Sequence, residues 1–214
     1  MERDGLSDRQ CLLGAFSAVT WENRMDRIDD VYKLPANLPV PEDDGKCDHL
    51  TGARLPAIGL PSTAGVLVDL SKIDGRVVVY CYPRTGDPSK DPLPGWNDIP
   101  GARGCTPQSC AFRDHHEDLQ LLDATVYGLS TQTTDYQKEL VARLHLPFAV
   151  LTDADLRFAN ALRLPTFTVQ SMPLIKRLTL IAKDGVIKKI FYPVFPPDKN
   201  PDEVIDWLSR NSRP

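Results

Sequence analysis

Gly104-Cys105-Thr106-Pro107-Gln108-Ser109-Cys110-Ala111-Phe112-Arg113-Asp114 is the stretch that organises this chain. Two cysteines stand five residues apart where a loop rich in proline and glycine gives way to a helical pattern. Pro107 suits the first turn of a helix, where its missing N–H would have no intrahelical partner. Cys105 therefore falls at or just before a helix N-terminus, among free backbone N–H groups and at the positive end of the macrodipole. That setting favours the thiolate, the form of cysteine that reacts. Arg103, two residues upstream, adds positive charge. On an intact helix, five residues rise about 7.5 Å and leave the two Cα atoms roughly 8.6 Å apart, beyond the ~7 Å reach of a disulfide. A bond between Cys105 and Cys110 would require the first turns to unwind.

Outward from this stretch the chain alternates between strand and helix patterns. Upstream, Gly65–Leu70 and Arg76–Tyr82 read as strands, the second a continuous run suited to burial on both faces. The helix that starts at Cys105 is predicted over Thr106–Leu122, with Phe112, Leu119 and Leu122 as its apolar positions. Thr125–Leu129 is a short buried strand. Thr134 and Gln137 are expected to cap the next helix, whose Tyr136, Leu140, Val141 and Leu144 share a face before Pro147 ends it. Phe148–Leu151 reads as a strand and Ala154–Leu162 as a short helix. Leu174–Ala182 and Val186–Tyr192 form an expected hairpin through the Asp184-Gly185 turn. Asn200-Pro201-Asp202-Glu203 is a helix start with Asn200 as cap, leading into Val204, Ile205 and Leu208. This order implies an α/β domain with a thioredoxin-like mixed sheet flanked by helices. It spans 50–214, after an N-terminal helical extension over 1–34 and a proline-punctuated acidic linker over 35–49.

The run Gly-Cys-Thr-x-Gln-x-Cys followed by Phe-Arg-Asp, with Tyr82-Pro83 ending the strand before it, resembles the peroxiredoxins of the bacterioferritin-comigratory or Q type. The resemblance extends more loosely from about Leu50 to Leu208. It implies a thioredoxin fold, a hydroperoxide substrate, and recycling by thioredoxin or a similar dithiol. It also implies that Cys105 is the peroxidatic cysteine, Cys110 the resolving one, and Arg177 the arginine that stabilises the thiolate and orients the peroxide.

The chain departs from its family just before the nucleophile. Peroxiredoxins carry Pro-x-x-x-Thr-x-x-Cys, but here Ala102 stands in the hydroxyl's place and Asp98 in the proline's. Pro83 is present, yet about fifteen extra residues separate it from Cys105. The inserted loop runs roughly from Asp87 to Arg103. Thr85 is the candidate to supply the missing hydroxyl; backbone groups or Arg103 are the alternative. Trp96 is expected to anchor the inserted loop. Arg113 reads as a solvated charge.

Composition narrows the function classes further. A net charge of −4 over 214 residues argues against a nucleic-acid surface, and no apolar run approaches a membrane span. Five cysteines, odd in number and widely spaced, fit individual thiols in a reducing compartment, so a cytoplasmic location is expected. Cys81 reads as a buried strand residue, and Cys11 and Cys47 as incidental thiols. His115 and His116 point about 100° apart on a helix and read as part of a solvated face, not a metal site. No cofactor is expected, and both a monomer and a homodimer are open. Two other functions compete with a peroxidase. One is a protein thiol–disulfide oxidoreductase, disfavoured by the absence of Cys-x-x-Cys. The other is a redox sensor or binding module that uses the same cysteine pair as a switch.

Overall fold

The computed structural model describes residues 30–211. Its centre is a five-stranded mixed sheet in the order β5-β4-β3-β8-β9. Strands β3 (Arg76–Cys81), β4 (Ala124–Ser130) and β5 (Val150–Thr152) run parallel; β8 (Leu178–Lys183) and β9 (Val186–Phe191) continue antiparallel from β3. β3 is central, with Val78 opposite both Val126 and Ile181. Its pleat sends Val77, Val79 and Cys81 into one core and Val78 and Tyr80 into the other, with Tyr82 continuing the second set. A strand covered on both faces needs apolar residues at every position, which accounts for the continuous run in the sequence.

One face of the sheet packs against α1 (Cys105–Asp114), α2 (His116–Leu121), α3 (Thr134–Leu144) and α5 (Asn200–Arg210), through Phe112, Leu119, Leu140, Leu144, Val204 and Leu208. The other face packs against α4 (Arg157–Leu162) and the approach to the sheet, through Phe158, Leu162, Leu50, Leu60 and Leu70. Two small ribbons complete the fold, β1 (Gly59–Pro61) with β2 (Leu67–Asp69), and β6 (Thr166–Val169) with β7 (Met172–Ile175). Among the described residues, no helix is long and apolar enough to cross a membrane.

Several local expectations change. The helix expected over Thr106–Leu122 is two helices broken at His115, whose φ and ψ are −100° and 13°. Residues 113–118 contain no apolar side chain to pack, and tertiary packing is what sustains most helices. Thr133, not Thr134, caps α3, its hydroxyl accepting from Tyr136 N; Gln137 turns inward and donates to Leu151 O at 2.8 Å. Lys199 takes the N-cap position of α5, and Asn200 is helical and wholly buried. The strand expected over Leu174–Ala182 breaks at Lys176-Arg177. Residues up to Ile175 pair back on β6, and those from Leu178 join the main sheet. Most of the helical extension over 1–34 lies outside the described residues, as does Cys11; residues 30–34 form turns, not a helix.

Candidate active site

Cys105 is the first residue of α1, and the residue before it explains how the chain gets there. Gly104 has φ +102°, where a Cβ is strained. A Cβ at that position would also meet Pro197, and would lie 2.7 Å from Leu34 Cδ2. Glycine is thus required twice, by the backbone turn and by the space. The turn aims Cys105 at the sheet, where it is only 3 % exposed, and Gly104 O accepts the first helical bond from Gln108 N at 3.0 Å.

Arg177 comes from the break between β7 and β8 and is almost fully buried. Its Nη2 donates to Cys105 Sγ at 3.1 Å, to Ala102 O at 3.1 Å and to Arg103 O at 3.1 Å. Its Nε donates to Gly101 O at 3.2 Å, and its Nη1 to Gln108 Oε1. These oxygens belong to carbonyls and an amide, not carboxylates. A buried guanidinium so placed has its charge balanced only in part by dipoles, and it aims an N–H at Sγ with no carboxylate among its acceptors. The strand break that the periodicity did not show is what carries Arg177 to the sulfur.

Cys105 opens onto a pocket bounded by Thr85, Arg84, Tyr136, Arg103, Trp96 and Val31. Thr85 is pinned on its wall. Its N and Oγ1 both donate to Gln132 Oε1, at 2.9 and 3.0 Å, and its carbonyl accepts from Tyr136 OH at 3.0 Å. With its proton given to Gln132, the Thr85 hydroxyl has lone pairs left to accept a bond. Ala102, in the place of the family's hydroxyl, has no side-chain donor, and its carbonyl accepts from Cys105 Sγ at 3.5 Å. Arg103 also lines the pocket and ties it to the preceding segment, Nη2 donating to Asp30 O at 2.7 Å. Trp96 is buried beside Leu93, Phe167 and Leu174, which anchors the inserted loop as expected, and it also forms part of the pocket wall.

Cys110 lies one and a half turns along the same helix, half-buried against the core that holds Phe112, and both thiols are free. Burial raises the Cys110 pKa, with the nearby Arg113 pulling the other way. Arg113 is less solvated than expected: its Nη1 donates to Leu144 O at 2.9 Å and so joins α1 to the end of α3. His115 lies within 3.1 Å of Asp118 and 3.2 Å of Asp202, while His116 packs against Phe148, and burial lowers its pKa. Cys47 and Cys81 are buried, and burial pushes the Cys47 thiol up to about 12. Sequence reasoning missed Gln108, Gln132 and Asn200 as parts of the site's surroundings. The first stands one turn after Cys105, and the last carries the sequence pattern of a helix cap.

The chain matches the Redoxin family model over residues 50–205. It is 30% identical over 158 residues to a chloroplastic peroxiredoxin Q from Sedum lineare, covering 73% of this chain and 76% of that one. It is also 30% identical over 143 residues to peroxiredoxin Bcp from Bacillus subtilis, covering 64% of this chain and 82% of the relative. Among solved structures, peroxidoxin BcpB from Mycobacterium tuberculosis superposes with a TM-score of 0.63 at 24% identity, over 77% of this chain and 98% of that one, a likeness of fold.

Proposed function

The chain belongs to the Redoxin family as a peroxiredoxin of the Q type, an enzyme of thiol-dependent peroxide reduction, and from that premise we propose Cys105 as its peroxidatic residue and Cys110 as its resolving one. The observation that carries the reading is the Arg177 guanidinium 3.1 Å from Cys105 Sγ at the opening of α1. The Cys105 thiolate attacks one oxygen of a hydroperoxide, the O–O bond breaks, and the departing oxygen takes a proton and leaves as water or an alcohol. The sulfur is oxidised to a sulfenic acid and the peroxide is reduced by two electrons. Arg177 supports the anionic sulfur and the developing charge on oxygen. Thr85 accepts the O–H of the bound peroxide, and Arg103 keeps the pocket positive.

Resolution needs the wound helix to open. Cys110 displaces hydroxide from the sulfenic sulfur, water leaves, and a Cys105–Cys110 disulfide remains. An external dithiol, thioredoxin or a similar protein, then reduces the disulfide by exchange and is itself oxidised. Hydrogen peroxide and organic hydroperoxides are both substrates in this scheme. The reaction suits a reducing compartment such as the cytoplasm, where the odd, widely spaced cysteines persist as thiols. The relative from Sedum lineare carries a chloroplastic name, so the chemistry is not tied to one compartment.

Stopped-flow oxidation of the full chain by hydrogen peroxide, with Cys105→Ser as control, tests the proposal. Second-order oxidation that is lost in the control, followed by turnover with thioredoxin and its reductase, is the expected result. Oxidation without turnover by any dithiol would assign a sensor instead, and no reaction with peroxide would remove the peroxidase reading.

A further inference from the structure

Behind Arg177 lies a row of buried polar side chains that reaches the first residue of α5. Arg177 Nη1 donates to Gln108 Oε1, and Gln108 Nε2 donates to Asn200 Oδ1 at 3.2 Å. Thr179 Oγ1 donates to the same Asn200 oxygen at 2.5 Å, and Asn200 Nδ2 reaches Glu203 Oε2 at 3.4 Å. Gln108, Thr179 and Asn200 are wholly buried.

The chemistry of the two ends sets the direction of this row. A guanidinium has only donors, so the amide oxygen of Gln108 faces Arg177 and its NH2 faces Asn200. The oxygen of Asn200 must answer that NH2, which leaves the Asn200 NH2 for a carboxylate that only accepts when ionised. Turning either amide over would set donor against donor. The row therefore has a single self-consistent arrangement, and Asn200 is the member that joins three elements: Gln108 on α1, Thr179 on β8, and its own helix α5.

We propose that Asn200 is a positioning residue for peroxide reduction, holding the Gln108 amide so that its oxygen fixes the Arg177 guanidinium against Cys105 Sγ. The remaining oxygen acceptors of Arg177 are the carbonyls of Gly101, Ala102 and Arg103, all on the loop that leads into α1. Gln108 is thus the side-chain oxygen that sets the plane of the guanidinium, and its own orientation depends on Asn200. Removing Asn200 leaves the buried Gln108 NH2 without its acceptor and frees that amide to turn. This inference rests on the roles of Cys105 and Arg177 proposed above.

The test compares full-length wild type, Asn200→Ala, Gln108→Ala and the double variants Gln108→Ala/Asn200→Ala and Asn200→Asp/Glu203→Gln. Two rates are read at fixed pH: Cys105 oxidation by hydrogen peroxide, and Cys105 alkylation by iodoacetamide, which needs an anionic sulfur but no peroxide. Asn200→Ala is expected to slow peroxide oxidation about tenfold, and the charge-conserving swap Asn200→Asp/Glu203→Gln, which keeps the acceptor oxygen for Gln108 and supplies an amide donor in place of the Glu203 carboxylate, to recover most of that loss. In the Gln108→Ala background, Asn200→Ala should change the rate by no more than about twofold, because the two residues act through one network. A wild-type rate in Asn200→Ala, or a full further loss in the Gln108→Ala background, overturns the proposal. Should Asn200→Ala not fold, Asn200→Leu, close in volume but without an acceptor for Gln108, replaces it in the same cycle, and the same two results overturn the proposal there. Wild-type protein that is alkylated at Cys105 but inert to peroxide would sink the peroxidase reading alone, and the alkylation rates would still decide the Asn200 link.

Discussion

At the scale of single residues, the sulfur of Cys105 and the guanidinium of Arg177 meet at 3.1 Å although 72 positions separate them in the chain. An N–H donor aimed at developing charge contributes roughly a hundredfold or more to rate. Arg177→Ala should therefore slow peroxide oxidation of Cys105 by about two orders of magnitude in stopped-flow, and near-normal kinetics would move the role to another donor. Cys110→Ser should leave the first oxidation intact and make Cys105 prone to sulfinic acid formation, visible by mass spectrometry under excess peroxide. Resistance equal to wild type would count against Cys110 as the resolving partner. Gly104→Ala places a Cβ at φ +102° against Pro197 and Leu34. It should lower stability by about 1–3 kcal/mol in urea titrations, through backbone strain before any effect on chemistry. The place of Cys105 at a helix start was legible from spacing and turn residues, and its pairing with Cys110 from the family motif. Gln108 and Asn200 were not, because a buried amide in a polar row looks in sequence like any surface amide or helix cap.

At the scale of elements, α1 is the site's scaffold and, in the proposed resolution step, the part that yields. Its wound form keeps Gln108 N on Gly104 O at 3.0 Å and Tyr80 OH on Ser109 Oγ at 3.2 Å, and seats Thr106 and Ser109 in the interior. A Cys105–Cys110 bond is out of reach of that helix, since five residues span roughly 8.6 Å between Cα atoms. Oxidation by one equivalent of peroxide should therefore speed amide hydrogen exchange across the opening turns of α1, with the sheet unchanged. The same measurement on Cys110→Ser should show no such difference; equal protection in both redox states of the wild type would remove the unwinding step. The start of α1 was readable from Pro107 and the loop before it. Its end was not, because nothing in the polar run over 113–118 marks the residue at which the helix breaks. The single strand expected over 174–182 failed for a related reason: an apolar run does not say which partner each half will pair with.

At the scale of the whole molecule, segments from distant parts of the chain wrap the site. Leu34 stands against Gly104, Val31 lines the pocket, and Asp44 holds Lys46 at 2.9 Å, Lys176 at 2.9 Å and Tyr192 OH at 2.7 Å. Hydrogen bonds from Lys46, then Lys176, hold the Asp44 carboxyl well below the usual carboxylate range. A carboxylate depressed in the folded state adds stability above its unfolded pKa of about 4 and loses it as pH falls through the folded value. Asp44→Asn should thus melt below wild type at pH 7, and the gap should narrow as pH falls below about 4. A gap independent of pH in thermal melts would mean that the Asp44 charge is not what ties this segment to Lys176. By itself the sequence determined the alternation of strands and helices, the buried central strand, and a cysteine at a helix start. All of these rest on local periodicity, turn chemistry and a short motif, which are properties of neighbouring residues. Only the tertiary structure decided the break that delivers Arg177, the stand of Thr85 on the pocket wall, and the amide row ending at Asn200. Those depend on which distant segments share a buried volume, and a polar side chain acquires its partner only when the fold removes water and brings one to it.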